Sequence, residues 1–90
     1  AKDADVVLLV FDLTDDLWYN KLQVVESVLN DLGVDKNRII YVGNKIDSAP
    51  SEYVVGAREI LKENVIMISA RKNSNIDELK KAIKIRLQNT

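Results

Sequence analysis

The chain has 90 residues, enough for one small domain that buries about 60 to 65% of its unfolded surface. With 47% hydrophobic and 30% charged residues it has the balance of a folded globular protein, and its formal charge of -1 recommends neither nucleic acid nor an anionic membrane as partner. Neither cysteine nor histidine occurs, which excludes disulfides, thiolate or imidazole metal sites, and Cys or Ser-His-Asp nucleophiles.

The first apolar run, Val6 to Phe11, is continuous rather than alternating, as expected for a strand buried on both faces of a parallel sheet. It is also the longest, far short of a bilayer span, and no charged-then-apolar leader opens the sequence. A cytoplasmic setting is therefore expected. Next, Trp18, Leu22, Val25, Leu29 and Leu32 recur at steps of three and four, the stripe of a helix that starts near Thr14 and ends at Gly33. Thr14 is placed to cap it, and Asp15 and Asp16 suit its positive end.

A second strand is expected over Ile39 to Val42, followed by a weaker helix after Pro50 and Ser51 with Val54, Ala57 and Leu61 on one side and Gly56 inside it. The third strand is Val65 to Ile68, and the capping-box-like Ser74-Asn75-Ile76-Asp77 opens a helix through Leu79, Ile83 and Leu87. Lys80, Lys81, Lys84 and Arg86 make that helix locally basic, which reads as a solvated face.

The order βαβαβα predicts a three-layer α/β unit with a three-stranded parallel sheet. Right-handed crossovers put the first two helices on one face and leave the third to cover the other. The outer edge of the strand at Val6 to Phe11 is then unpaired, and an apolar edge of this kind offers a surface for self-association or for a further strand.

Asn44-Lys45-Ile46-Asp47 follows the second strand at its carboxyl end, where open α/β sheets bind ligands. Guanine presents an N1 hydrogen and an exocyclic N2 amine on one edge, and the Asp47 carboxylate can accept from both. Adenine has neither donor there, and an unmatched carboxylate costs enough to reject it. Asn44 can donate toward a ring nitrogen or tie neighbouring loops together, and the Lys45 stem can lie across the flat base. Three specified residues at this spacing arise by chance in about one chain in a hundred of this length, so position matters as much as composition.

Ser69-Ala70-Arg71 ends the third strand one βα unit later. The Ala70 backbone N–H can donate to the guanine keto oxygen, and Ser69 can hold the Asp47 carboxylate in place. As isolated residues these would be ordinary turn and loop residues. Their order and equivalent topological places make a base-binding crevice the better reading.

Asn44-Lys45-Ile46-Asp47 and Ser69-Ala70-Arg71 resemble the N-K-x-D and S-A-x motifs of the TRAFAC GTPases. The stretches from Ala4-Asp5-Val6 to Asp12 and from Val24 to Gly33 most resemble the HflX family, ribosome-associated GTPases of the Obg-HflX group. The resemblance covers nearly the whole chain and implies half of a P-loop GTPase G domain. It implies guanine reading by Asn44, Lys45 and Asp47 and base contact by Ser69, Ala70 and Arg71. GTP or GDP is the implied ligand, with Mg2+ only in the complete G domain and the large ribosomal subunit as partner of the parent protein.

The 90 residues contain neither G-x-x-x-x-G-K-[ST] nor D-x-x-G, and with Gly33, Gly43 and Gly56 as the only glycines there is no glycine-rich phosphate loop. Hydrolysis is thus not assignable to residues of this chain, which by itself is expected to be inactive and to bind nucleotide weakly. The resemblance places the phosphate-binding half and the partner strand of Val6 to Phe11 before Ala1. Two alternatives use other residues. Asp12, Asp15, Asp16 and Asp47 can be read as a magnesium cluster for phosphoryl transfer, although their spacing is not D-x-D, and the open strand edge can be read as an interaction module.

Overall fold

The computed structural model describes residues 6–88; Ala4 and Asp5, which contribute to the family resemblance, lie outside the described residues. Three strands, β1 (Val7–Asp12), β2 (Ile39–Asn44) and β3 (Val65–Met67), alternate with α1 (Trp18–Asp31), α2 (Ser51–Leu61) and α3 (Ile76–Gln88), the βαβαβα order expected. The strands are parallel in the order β1-β2-β3, with Val7 opposite Ile39, Asp12 opposite Asn44 and Tyr41 opposite Val65.

Side chains alternate across the sheet, so each face has its own core. Leu9, Phe11, Ile39, Tyr41 and Met67 meet Trp18 and Leu22 of α1 and Ala57 and Leu61 of α2. On the other face Ile40, Val42 and Ile68 meet Ile76, Leu79, Ala82 and Ile83 of α3. The two-and-one division of helices follows from right-handed crossovers. Fully buried Leu22, Ile40 and Val42 each contribute about 1.5 to 3 kcal/mol by leaving water. Trp18 stacks on Phe11 with ring centroids 5.4 Å apart, fixing α1 against β1.

The structure corrects four local expectations. The helix α1 begins at Trp18, and Thr14 does not cap it: its N–H and hydroxyl both donate to Asp12 Oδ1, at 2.8 and 2.6 Å. The cap position falls on Leu17, three residues past Thr14, so Thr14 does not hold the place from which a hydroxyl oxygen accepts a first-turn N–H, and it turns back to Asp12 instead. Asp15 does support the approach to α1, its carboxylate accepting the Leu17 N–H at 2.9 Å. The far end is as expected: Gly33 takes φ +81°, with Gly33 N–H on Asn30 O and Val34 N–H on Leu29 O, the paired bonds that close a helix around a left-handed residue.

Second, β1 is not buried on both faces. Leu9 and Phe11 are buried, whereas Leu8 and Val10 are 41% and 57% exposed, because the cluster that α3 builds on this face takes in Val6, ahead of β1, and Ile40, Val42 and Ile68, but neither Leu8 nor Val10. Third, the α1 stripe is only partly covered: Trp18 and Leu22 are buried, but Val25 and Leu32 lie open. Among the described residues β1 pairs only with β2, and Val25 borders an open groove beside β1 with Val10, Phe11 and Leu22. Fourth, Ser74 forms a backbone bridge with Ser69 instead of capping α3, which starts two residues later at Ile76. Asn75, with φ +61°, donates its side-chain amide to Met67 O at 2.9 Å and holds the α3 approach to the end of β3. Gly56 is accommodated in α2 with the Trp18 ring packed over it.

Candidate functional site

Every residue expected at the site is at the carboxyl end of the sheet, in loops that continue β2 and β3. The Asn44 to Asp47 segment leaves β2 in a tight turn closed by Ser48 N–H on Lys45 O at 3.0 Å, and Ile46 N–H donates to Ile68 O at 3.0 Å, pinning the turn to the end of β3. Lys45 has φ +69°, a left-handed conformation that costs a residue with a side chain about 1 to 2 kcal/mol. Strain of this sort persists where the surroundings over-determine the backbone, commonly at binding sites.

Asn44 does what the sequence offered as one of two options: it ties the loops together. Its Oδ1 accepts the Lys45 N–H at 2.8 Å and the Ala70 N–H at 3.1 Å, so one amide oxygen joins the two loops. The Ala70 N–H is thereby engaged by Asn44 in this structure instead of standing free for a ligand. With the oxygen facing the protein, the Asn44 side-chain NH2 is the end left to donate toward the crevice.

Ser69 is fully buried, and its hydroxyl accepts the Lys72 N–H at 3.1 Å. The same hydroxyl, followed by the Asp47 backbone N–H, the Lys72 charge and the Ser48 hydroxyl, holds the exposed Asp47 carboxyl below the usual carboxylate range. Asp47 is thus charged at neutral pH and presents acceptor oxygens only. Together Thr14, Asn44, Lys45, Asp47, Ser48, Ser69 and Arg71 line a crevice of about 380 Å³, within the range that accommodates a purine. Arg71 stands at its rim, exposed.

Two contributors escaped sequence reasoning in this role. Asp12, at the end of β1, accepts the Lys45 ammonium at 2.8 Å, and Thr14 forms a wall of the crevice while donating to Asp12. Lys45, then the Thr14 hydroxyl and N–H, hold the Asp12 carboxyl down at about 2. A signal existed in the D-x-T spacing directly after an apolar strand, but nothing local says that a lysine 33 residues on is its partner. This contact also redirects the reading of the aspartates as a metal cluster. Asp12 is engaged by Lys45 and Asp15 by Lys21, and among the described residues no group of three acidic side chains gathers.

Comparison with known proteins identifies the family. The model of the Ras family matches residues 1–88. A GTPase HflX of Thermofilum pendens is 38% identical over 85 residues, 89% of this chain and 20% of that protein. Others are the GTPase HflX of Magnetococcus marinus, 34% identical over 84% of this chain and 17% of that protein, and that of Lacrimispora saccharolytica, 30% identical over 99% and 21%. The chain therefore spans about a fifth of the length of these relatives. With a parallel α/β sheet whose strand ends carry N-K-x-D and S-A-x loops, the chain belongs to the Ras family and is a segment of an HflX-family G domain.

Proposed function

We propose that this segment reads the base of a guanine nucleotide. The observation that carries the reading is the Asn44 clamp: one side-chain oxygen holds the Asn44 to Asp47 turn against the Ser69 to Arg71 loop, setting a charged, exposed Asp47 beside an amide donor in one crevice. Asp47 accepts from guanine N1–H and N2, the Asn44 amide donates to a ring nitrogen, the Lys45 stem covers one face of the base, and Arg71 borders it. Contact of Ala70 N–H with the keto oxygen requires that donor to be shared with, or released from, Asn44.

The relatives are named GTPase HflX, which supports GTP hydrolysis as the activity of the parent protein; a cytoplasmic setting and the large ribosomal subunit as its partner rest on the resemblance to the HflX family alone. Magnesium and the phosphates are held by residues that this segment does not contain, so the 90 residues alone bind nucleotide weakly and do not turn it over. Amide chemical-shift titration with GDP and ADP tests the base reading. GDP is expected to move Asn44, Lys45, Asp47 and Ala70 while ADP does not, and equal responses to both nucleotides refute it.

A second surface is favoured by the β1 edge, which among the described residues has no strand partner on its outer side and exposes Leu8 and Val10 beside it. It supports self-association of this segment. Sedimentation velocity over a range of concentrations is expected to show a dimer, and a monomer throughout excludes it.

A further inference from the structure

The lysine of the base-reading turn is anchored by the first strand, which contributes nothing else to the base contacts. Lys45 has a side chain 54% exposed, and an exposed lysine ordinarily wanders among many rotamers. Here its ammonium rests on Asp12 Oδ2 at 2.8 Å, so its stem runs from the β2 end to the β1 end along the crevice. Asp12 does not wander either. Its other oxygen takes the Thr14 N–H and hydroxyl, and its backbone sits opposite Asn44 in the sheet register, with the next residue, Leu13, donating its N–H to Asn44 O at 3.0 Å. Asp12, Thr14 and Asn44 thus form one rigid corner from which Lys45 is stretched.

We infer that Asp12, held by Thr14, is a positioning residue for guanine recognition: it fixes the Lys45 side chain as a preformed shelf for the base. This inference rests on the base-reading proposal above and extends the site to a strand outside both nucleotide motifs. The physical reason is preorganisation. A shelf set before binding does not lose its rotamer freedom when the base arrives, so the contact is retained as affinity. Geometry also distinguishes Asp12 from Asp15, which faces Lys21 and the start of α1.

The test is a GDP titration of the 90-residue chain by amide shifts, with Asp12→Asn, Lys45→Ala and the double variant, and with Asp47→Ala as the control for base reading. Asp12→Asn keeps the size of the side chain and an acceptor for Thr14, and the wild-type spread of amide shifts verifies its fold. It is expected to weaken GDP binding about twofold to fivefold, the range of a part-exposed ion pair, and to cost nothing further once Lys45 is alanine. Cross-relaxation between the Lys45 methylenes and guanine H8, present in the wild type, is expected to fade in Asp12→Asn. Thr14→Val is expected to show a smaller loss in the same direction.

GDP shifts that vanish in Asp47→Ala but are unchanged in Asp12→Asn overturn the role of Asp12 and leave the base reading intact. Losses from Asp12→Asn and Lys45→Ala that simply multiply also overturn it, since Asp12 would then act without Lys45. No saturable GDP shift in the wild type, or shifts that survive Asp47→Ala, sinks the base reading and this inference with it.

Discussion

Replacing Gly43 by alanine probes how tightly the site is tied to the core. Gly43 is the buried penultimate residue of β2, opposite Phe11, and its carbonyl accepts the Ile68 N–H at 2.8 Å. A Cβ there would stand 3.0, 3.1 and 3.2 Å from Leu13 Cδ1, Cγ and Cδ2, tighter than most carbon contacts, so Leu13 would have to give way by a few tenths of an ångström. Leu13 has no exposed surface, and its N–H is bonded to Asn44 O, so it cannot yield without leaving its rotamer or dragging the Asp12 to Thr14 corner. Overpacking of this kind costs about 1 to 3 kcal/mol, and replacing glycine in a strand returns about 0.5 to 1 kcal/mol. The net expectation lies between about 0 and about 2.5 kcal/mol of loss, centred on about 1.2 kcal/mol, which lowers the melting temperature by roughly 5 to 10 °C. Urea denaturation followed by the fluorescence of Trp18, the single tryptophan, measures it. In a Leu13→Ala background the three clashing atoms are gone, and Gly43→Ala is expected to be neutral or stabilising. A Gly43→Ala chain more stable than wild type, or an undiminished loss in the Leu13→Ala background, refutes the packing argument.

Three further outcomes follow from the same contacts. Asp47→Asn exchanges an acceptor pair for one acceptor and one donor, which suits xanthine with its carbonyl at C2; GDP binding should fall roughly tenfold to a hundredfold while xanthosine diphosphate gains, and a retained GDP preference would contradict the assigned contact. Tyr41 is almost wholly buried and donates its hydroxyl to Glu26 of α1, burial and that carboxylate together raising its pKa above the usual phenol value. Tyr41→Phe leaves Glu26 without that donor and should cost about 1 to 2 kcal/mol in chemical denaturation, with no change in the guanine-over-adenine preference. Asp12, held at about 2 in the folded chain against 3.8 for the free side chain, contributes stability above about pH 4 that is lost as pH falls toward 2. Asp12→Asn should therefore flatten the acid limb of the stability profile, less so in high salt because the pair with Lys45 is part-exposed, with Asp15 and Lys21 also near in charge. An unchanged acid limb at low salt would show that the Asp12 to Lys45 contact is not held in solution.

Much of the fold was legible because the signals that encode it are local. The apolar runs at Val6, Ile39 and Val65 and the helical stripe through Val54, Ala57 and Leu61 mark elements whose hydrogen bonds close within a few residues or against an adjacent parallel strand. Gly33 stopped α1 for the conformational reason that glycine usually does so. The crossover rule then distributed the helices over the two faces with no further information. Asn44, Lys45, Asp47, Ser69 and Arg71 were likewise readable, since a short turn at a strand end keeps its side chains together wherever the rest of the chain goes.

What the tertiary structure alone decided is everything that depends on a partner distant in sequence. A continuous apolar β1 cannot declare which of its faces is covered; that depends on which side chains join the cluster under α3, and Leu8 and Val10 do not. Thr14 reads as a cap until α1 is seen to begin only at Trp18, with Thr14 turned back to Asp12. The aspartate after β1 reads as a free carboxylate until the sheet register sets it opposite Asn44 and within reach of Lys45. Sequence determined which residues meet at the strand ends, because strand and loop order are local properties; only the packed sheet decided what those residues touch, because a charge or hydrogen-bond donor pairs with whatever the fold brings within about 3 Å.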